Sequence, residues 1–531
     1  MRLRRLWLGN YYNLKEVTIE FDPSPPIYGS TSIRFFVGLN GSGKSSALEA
    51  IGLIFSHLTA GAKPSIEFDI EYELRNQVIR ITNRLENDFP LEPVSPIGAA
   101  VLIRSPSEDE WRQDHLRREW SSSGDAILPS RVIGYSTGPT SGLQWALSRS
   151  IERFVYNRLG DFEDERRPEG LSEEEWQENR QQMRALLEAE RDDYLDNPDT
   201  LFLGSEDALC AVLPLLTHQP DAPESSDYLE RRASILNRIG LDPREPLAAF
   251  TFHVTGDWEV RLTPNRARTL RSLLQKATVR RTIASIPTPN ISNDEPPPSD
   301  FYAAFDFDEA FRTQELQKLI PTPLAFFEEL LAWKRQGGVR RIRLVLKKQG
   351  IEDLFTESAL SDGEFLYIGR YAVLLMLREV PEILVLLDEP ETHFNDRWKV
   401  DLVKDIHTLI NSQSGEQSDR IRNEVLIATH SGLTLTDADP RQVYKFVERE
   451  GKIFVEPPPI SPFAANLGDI SRTFSETERA IGNYANERIE EALRAGSREE
   501  IVQLVDEVVG PGFYRFRLLN KLEQLEEEKG E

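Results

Sequence analysis

Short runs of alternating apolar and polar residues open the chain. Residues 2–8 and 15–21 (KEVTIEF) read as strands, and 32–37 (SIRFFV) is a strand running directly into a glycine-rich loop. From residue 44 the period changes: Ala47, Leu48, Ile51, Ile54 and Phe55 recur at helical spacing, which predicts a helix over 44–58. Alternation returns in IEFDIEYEL (66–74) and VIRITN (78–83), a predicted hairpin turning at Arg75 and Asn76.

Between about 160 and 300 the pattern thins. LSEEEWQENRQQMRALLEAERDDYL opens with Ser172 and Glu175 in capping-box spacing and predicts an exposed, highly charged helix. Its apolar positions are too sparse for a long coiled coil. THQPDAPESSD (217–227) and PTPNISNDEPPPSD (287–300) read as loops, the second marking a return to the core. Strand and helix then alternate: VRRIRLVLK (339–347), a helix over 364–379, EILVLLD (382–388), a helix over 396–411 and EVLIAT (424–429). That order predicts an α/β fold with a mostly parallel sheet flanked by helices. Residues 473–528 read as helical, broken at Gly510-Pro511-Gly512.

Composition narrows the class. The 531 residues are 39% hydrophobic and 28% charged, ordinary for a folded soluble chain with room for several domains. A net charge of −25 argues against a surface that is basic throughout, leaving local basic patches as the route to nucleic acid. The single cysteine, Cys210, permits no intrachain disulfide. No secretory signal opens the sequence, and its most apolar stretch is interrupted by Arg378, Glu379, Pro381 and Glu382. A cytoplasmic location without a membrane partner is expected.

The candidate chemistry lies at the loop after the third strand. GLNGSGKSS fits G-x-x-x-x-G-K-[ST] at a strand-to-helix junction, where backbone N–H groups and a helix N-terminus cradle phosphates. Gly38, Asn40, Gly41, Ser42, Gly43, Lys44, Ser45 and Ser46 form the nucleotide-binding candidates, with Lys44 neutralising phosphates and Ser45 ligating Mg2+. ILVLLDEPE is an apolar run ending in Asp388 and Glu389; at the carboxyl end of a buried strand, Asp388 can hold the metal and Glu389 can activate water. LSDGE places Ser361 and Gly363 at a helix N-terminus, either as an anion site or as an ordinary capped turn. VLIATHSG ends a strand at His430. The basic stretch 261–281 carries Arg261, Arg266, Arg268, Arg271, Lys276, Arg280 and Arg281 without an acid, and reads as a solvated or ion-paired helix face or as a phosphate contact.

The order of phosphate loop, long insertion, LSDGE, DEPE and ATHS resembles the ABC-type branch of ATPases that includes the SMC and RecF proteins. The wording GLNGSGKSS, LSDGE, DEPETHF and ATHSG is similar to compact RecF/OLD-like ATPases of bacterial anti-phage defence, such as PtuA of Septu and AriA of PARIS. The resemblance covers about 1–85 and 340–450. It implies an ABC-type P-loop NTPase head with a mixed, mostly parallel sheet and a mainly helical inserted lobe. The implied parts are 1–160 (phosphate loop and β-rich lobe), 161–300 (inserted lobe), 301–455 (signature, acidic strand and switch histidine) and 456–531 (helical).

It also implies a Mg2+-dependent ATP hydrolase with Glu389 and His430 catalytic and Ser45 and Asp388 on the metal. Two copies would close around ATP, Ser361 and Gly363 of one facing the γ-phosphate held by the other. His393 and Asn395 would lie in the loop that communicates across that dimer. A separate effector, such as a nuclease or toxin, would deliver the output. Gln77 and Gln144 both remain candidates for the glutamine that contacts magnesium. Long heptad arms, a C-terminal TOPRIM cluster and an HNH motif are missing from the pattern, so a nuclease of its own is not expected.

Overall fold

The computed structural model describes residues 1–24, 31–84, 98–108, 110–114, 127–138, 142–149, 173–196, 200–218, 225–283, 299–410, 423–474 and 481–530. Ser172 of the expected capping box, 219–224 of the first loop and 287–298 of the second lie outside the described residues. The chain divides into two compact units, Met1–Ala465 and Asn466–Glu531.

In the first unit the continuous apolar runs become the centre. Ile383–Asp388 and Asn423–Ala428 are buried on both faces, and they pair in parallel with each other in register Asp388 to Ala428. The full sheet runs Lys452–Glu456, Val443–Arg449, Thr31–Val37, Asn423–Ala428, Ile383–Asp388, Arg131–Ser136, Thr200–Leu203, with the first strand antiparallel and the others parallel. This is the α/β class with the mixed, mostly parallel sheet the sequence predicts. Burial of both strand faces is what selects parallel packing under helices.

The helix Lys44–Ala60 covers one face, burying Ala47, Leu48, Ile51, Ile54 and Phe55, and ends at Gly61, whose φ of 66° suits a left-handed cap. A six-stranded antiparallel sheet packs beyond it, containing Arg2–Tyr11, Leu14–Glu20, Phe68–Leu74 and Gln77–Thr82. The expected hairpin closes at Arg75 and Asn76, both at positive φ, with Leu74 facing Gln77.

Val339–Lys347 departs from the expected alternation. It pairs antiparallel with Leu247–Val254 in a separate five-stranded sheet. It keeps one wet face, with Arg340 and Arg341 exposed and Arg343 half-buried, unlike Ile383–Asp388. Within 161–300 the described elements include the helices Glu173–Asp196, Ala208–Thr217, Ser225–Arg238, Trp258–Arg261 and Pro264–Leu274, together with Thr200–Leu203 of the parallel sheet and Leu247–Val254 and Val279–Thr282 of the five-stranded one.

The second unit is helical, with Leu467–Phe474, Asn483–Ala495, Arg498–Gln503 and Phe513–Gly530. Its own small core holds Ile489, Ala492, Ile501, Leu504, Val505 and Leu518. The chain turns at 510–512, where Gly512 has φ of 143°. Among the described residues no helix is long and apolar enough to cross a membrane.

Candidate nucleotide site

The phosphate loop leaves Thr31–Val37 and enters the helix at Lys44, with Gly38, Gly41 and Gly43 at φ of 146°, 80° and 98°. At Gly38 a Cβ would fall 2.5 Å from the Phe446 carbonyl oxygen, so the turn is closed to larger residues. Asn40 and Gly41 are exposed, Ser42 and Lys44 are buried, and Ser45 and Ser46 are half-buried. Lys44 folds back over the loop, its Nζ donating to the carbonyls of Gly38 and Leu39 at 2.9 Å each. Burial lowers its pKa, opposed by the carboxylates of Glu389 and Asp388.

Ser45 Oγ donates to Asp388 Oδ1 at 2.7 Å, joining positions 343 residues apart. The parallel register brings them together, because the two strands end at the same edge with Asn423–Ala428 between them. Burial raises the pKa of Asp388, Glu389 adds to the rise, and the Ser45 hydroxyl opposes it. A largely buried carboxylate beside a hydroxyl is an all-oxygen donor pair of the kind a hard divalent cation prefers. Ser45 and Asp388 therefore fit Mg2+, and Lys44 fits a phosphate.

Glu389 continues the ladder by one residue, its N–H donating to the Ala428 carbonyl at 2.9 Å, and then turns at φ of 48°. The turn directs its carboxylate toward the neighbouring loop, where Oε2 lies 2.7 Å from His430 Nδ1. The imidazole is 62% exposed, so its other nitrogen is open to a ligand.

At LSDGE the capped turn is present: Ser361 accepts the Glu364 N–H, and Glu364 Oε2 accepts the Ser361 N–H at 2.8 Å. Ser361 and Asp362 are exposed at the start of the helix Asp362–Met376. Gly363 packs on the loop after Glu389, where a Cβ would stand 2.7 Å from the His393 carbonyl oxygen. Asn395 in that loop caps the helix Asp396–Ile410 by accepting the Trp398 N–H at 3.0 Å.

Of the two candidate glutamines, Gln77 is exposed in the antiparallel hairpin. Gln144 follows the strand whose Ser136 lies in register with Asp388 and packs beside the phosphate-loop helix. Four of the seven cations of the basic stretch are ion-paired, Arg261 with Asp257, Arg266 with Glu329, Arg271 with Glu259 and Lys276 with Glu315.

Two acids at the site escape sequence reasoning. Glu49, on the phosphate-loop helix, is pushed up to about 7 by burial and by Asp388. Glu391 is 3% exposed and accepts the hydroxyl of Thr429. Burial, and then the charge of Glu389, raises its pKa. A polar residue among the helical apolar positions is the visible signal for Glu49. For Glu391 the signal is weaker, a second acid directly after the proline that opens the turn.

A family model described as the AAA ATPase domain matches residues 1–167. The DNA replication and repair protein RecF of Lactobacillus acidophilus is 37% identical over 75 residues, which are 14% of this chain; the match spans 18% of that relative's length. Among solved structures, the Smc head domain of Pyrococcus furiosus with an extended coiled coil, bound to the C-terminal domain of ScpA, is 14% identical. That match covers 86% of this chain and 96% of the other, at a TM-score of 0.31. The SMC head domain from Thermotoga maritima is 11% identical, covering 87% and 100% at a TM-score of 0.30. Likenesses this loose decide nothing about the site, which stands on its own geometry.

Proposed function

We propose that this chain is a Mg2+-dependent ATPase whose hydrolysis gates a conformational state. The observation that carries the reading is the convergence of Lys44, Ser45, Asp388, Glu389 and His430 at the carboxyl edge of one parallel sheet. The AAA ATPase match over 1–167 supports it, since that segment holds the phosphate loop.

In this reading the loop N–H groups and Lys44 bind the phosphates, and Lys44 exchanges its two carbonyl acceptors for phosphate oxygens. Ser45 and Asp388 would hold Mg2+, which when bound would supply charge neutralisation at the phosphate oxygens. Glu389 accepts a proton from water as that water attacks the γ-phosphate, giving ADP and inorganic phosphate. His430, fixed by Glu389 at Nδ1, presents its remaining nitrogen toward the γ-phosphate position. Ser361 and Gly363 serve a second copy of the chain, so two heads close around ATP. The output passes to a separate effector such as a nuclease, in prokaryotic antiviral defence. The four parts 1–160, 161–300, 301–455 and 456–531 belong to the same proposal.

The test is ATP turnover by the wild type, Glu389→Gln and Lys44→Ala. The expected result is loss of turnover in both variants, with ATP-bound dimers accumulating only in Glu389→Gln. Wild-type turnover no higher than Lys44→Ala would sink the enzyme and leave a nucleotide-gated scaffold. The local RecF match favours a second reading, a DNA-repair ATPase. That reading requires salt-sensitive DNA binding, and no binding at low salt removes it.

A further inference from the structure

Pro390 separates two glutamates placed in opposite ways. Glu389 reaches His430, whereas Glu391 turns inward and is 3% exposed. The Thr429 hydroxyl accepts the Ser431 N–H at 2.9 Å and donates to Glu391 Oε1. A hydroxyl has one hydrogen, so accepting from Ser431 leaves that hydrogen for Glu391. The Thr429 N–H donates in turn to the Phe36 carbonyl at 3.1 Å, on the strand that leads to the phosphate loop. Two loops and the strand before the phosphate loop are thus tied through one threonine and one carboxyl group.

The arrangement is costly on its own terms. Glu389 and His393 both stand at positive φ, 48° and 69°, and non-glycine residues held so cost on the order of 1–3 kcal/mol each unless their surroundings enforce the conformation. Glu391 Oε2 is buried without a hydrogen-bond partner, a placement a space-filling residue would not incur. Besides the Glu389 N–H to Ala428 bond and the Glu389–His430 pair, this buried link joins the two loops across the strand ends.

We propose that Glu391 is a positioning residue that latches the loop carrying Glu389 to the loop carrying His430, keeping the carboxylate and imidazole in one geometry during water attack. The inference rests on the ATPase reading for its consequence in turnover, while the latch itself is a property of the two loops. What the latch needs from Glu391 is an acceptor oxygen at Oε1, which a glutamine also supplies.

The experiment compares Glu391→Ala and Glu391→Gln in the full chain by steady-state turnover and by hydrogen exchange of peptides covering 388–394 and 428–432. Glu391→Ala is expected to lower kcat by about 100-fold with KM for ATP within about twofold, the signature of lost orientation rather than lost binding. Both peptides should exchange faster. Glu391→Gln should keep kcat within about threefold and exchange as the wild type does.

The latch is overturned if the glutamine variant is as impaired as the alanine one, or if alanine leaves exchange unchanged in either peptide. Should the wild type fail to exceed Lys44→Ala in turnover, the ATPase reading falls. The exchange comparison then still decides the latch, with acceleration by alanine and not glutamine upholding it.

Discussion

The carbonyl oxygen of His393 lies 2.7 Å from where a Cβ of Gly363 would stand. The glycine of LSDGE thus holds its place by close backbone approach to the loop that follows Glu389. Two motifs separate in sequence meet there inside one subunit, so a signal arriving at the exposed Ser361 has a short physical route to Glu389.

Gly363→Ala is therefore expected to displace the loop after Glu389, since the obstructing atom is backbone and cannot rotate away. Turnover should fall at least about tenfold while ATP affinity, set by the phosphate loop, stays within about threefold. Gly482→Ala, which meets nothing within 4 Å, is the control and should leave both unchanged. Wild-type turnover in Gly363→Ala would show that the contact has no catalytic consequence.

If Ser361 acts on the partner's nucleotide, two dead chains should rescue each other. Lys44→Ala spoils its own phosphate loop and Ser361→Arg spoils only the site across the interface. A heterodimer keeps one site made from the intact parts of both. With random pairing in an equal mixture, about a quarter of the sites are whole, so roughly a quarter of wild-type turnover should return on mixing. A mixture as inactive as its components would remove the composite site.

A buried histidine sets a pH dependence of stability. The His218 Nε2–H donates to the Ile320 carbonyl at 2.8 Å, and burial lowers its pKa to about 4. The native state keeps the ring neutral where the unfolded chain, titrating near 6.5, takes up a proton. Its contribution is therefore whole above pH 6.5 and is lost as pH falls toward 4, by about 3 kcal/mol. All eight tryptophans lie in Met1–Ala465, so their fluorescence in urea reports on that unit alone. Wild type should lose stability across this window more steeply than His218→Gln, and parallel curves would refute the assignment.

Local pattern determined a good deal. The apolar strand before the glycine loop, the helical spacing after Lys44, and the apolar run ending at Asp388 and Glu389 each report the burial of their own segment. Arg75 and Asn76 likewise marked a turn because the flanking residues alternate. From these the α/β class and the position of the candidate site were readable, since both depend on which faces of short segments avoid water.

What tertiary structure decided were partnerships across hundreds of residues. Val339–Lys347 has strand character in any setting, and only its tertiary partners show that it pairs with Leu247–Val254 rather than with the parallel sheet, leaving Arg340 and Arg341 exposed. Arg261, Arg266, Arg271 and Lys276 look free in sequence because their carboxylate partners Asp257, Glu329, Glu259 and Glu315 stand outside the run. Glu391 reads as a loop acid until the parallel register sets Thr429 beside it. A residue's polarity fixes what it needs, whereas the packing of distant strands fixes who supplies it.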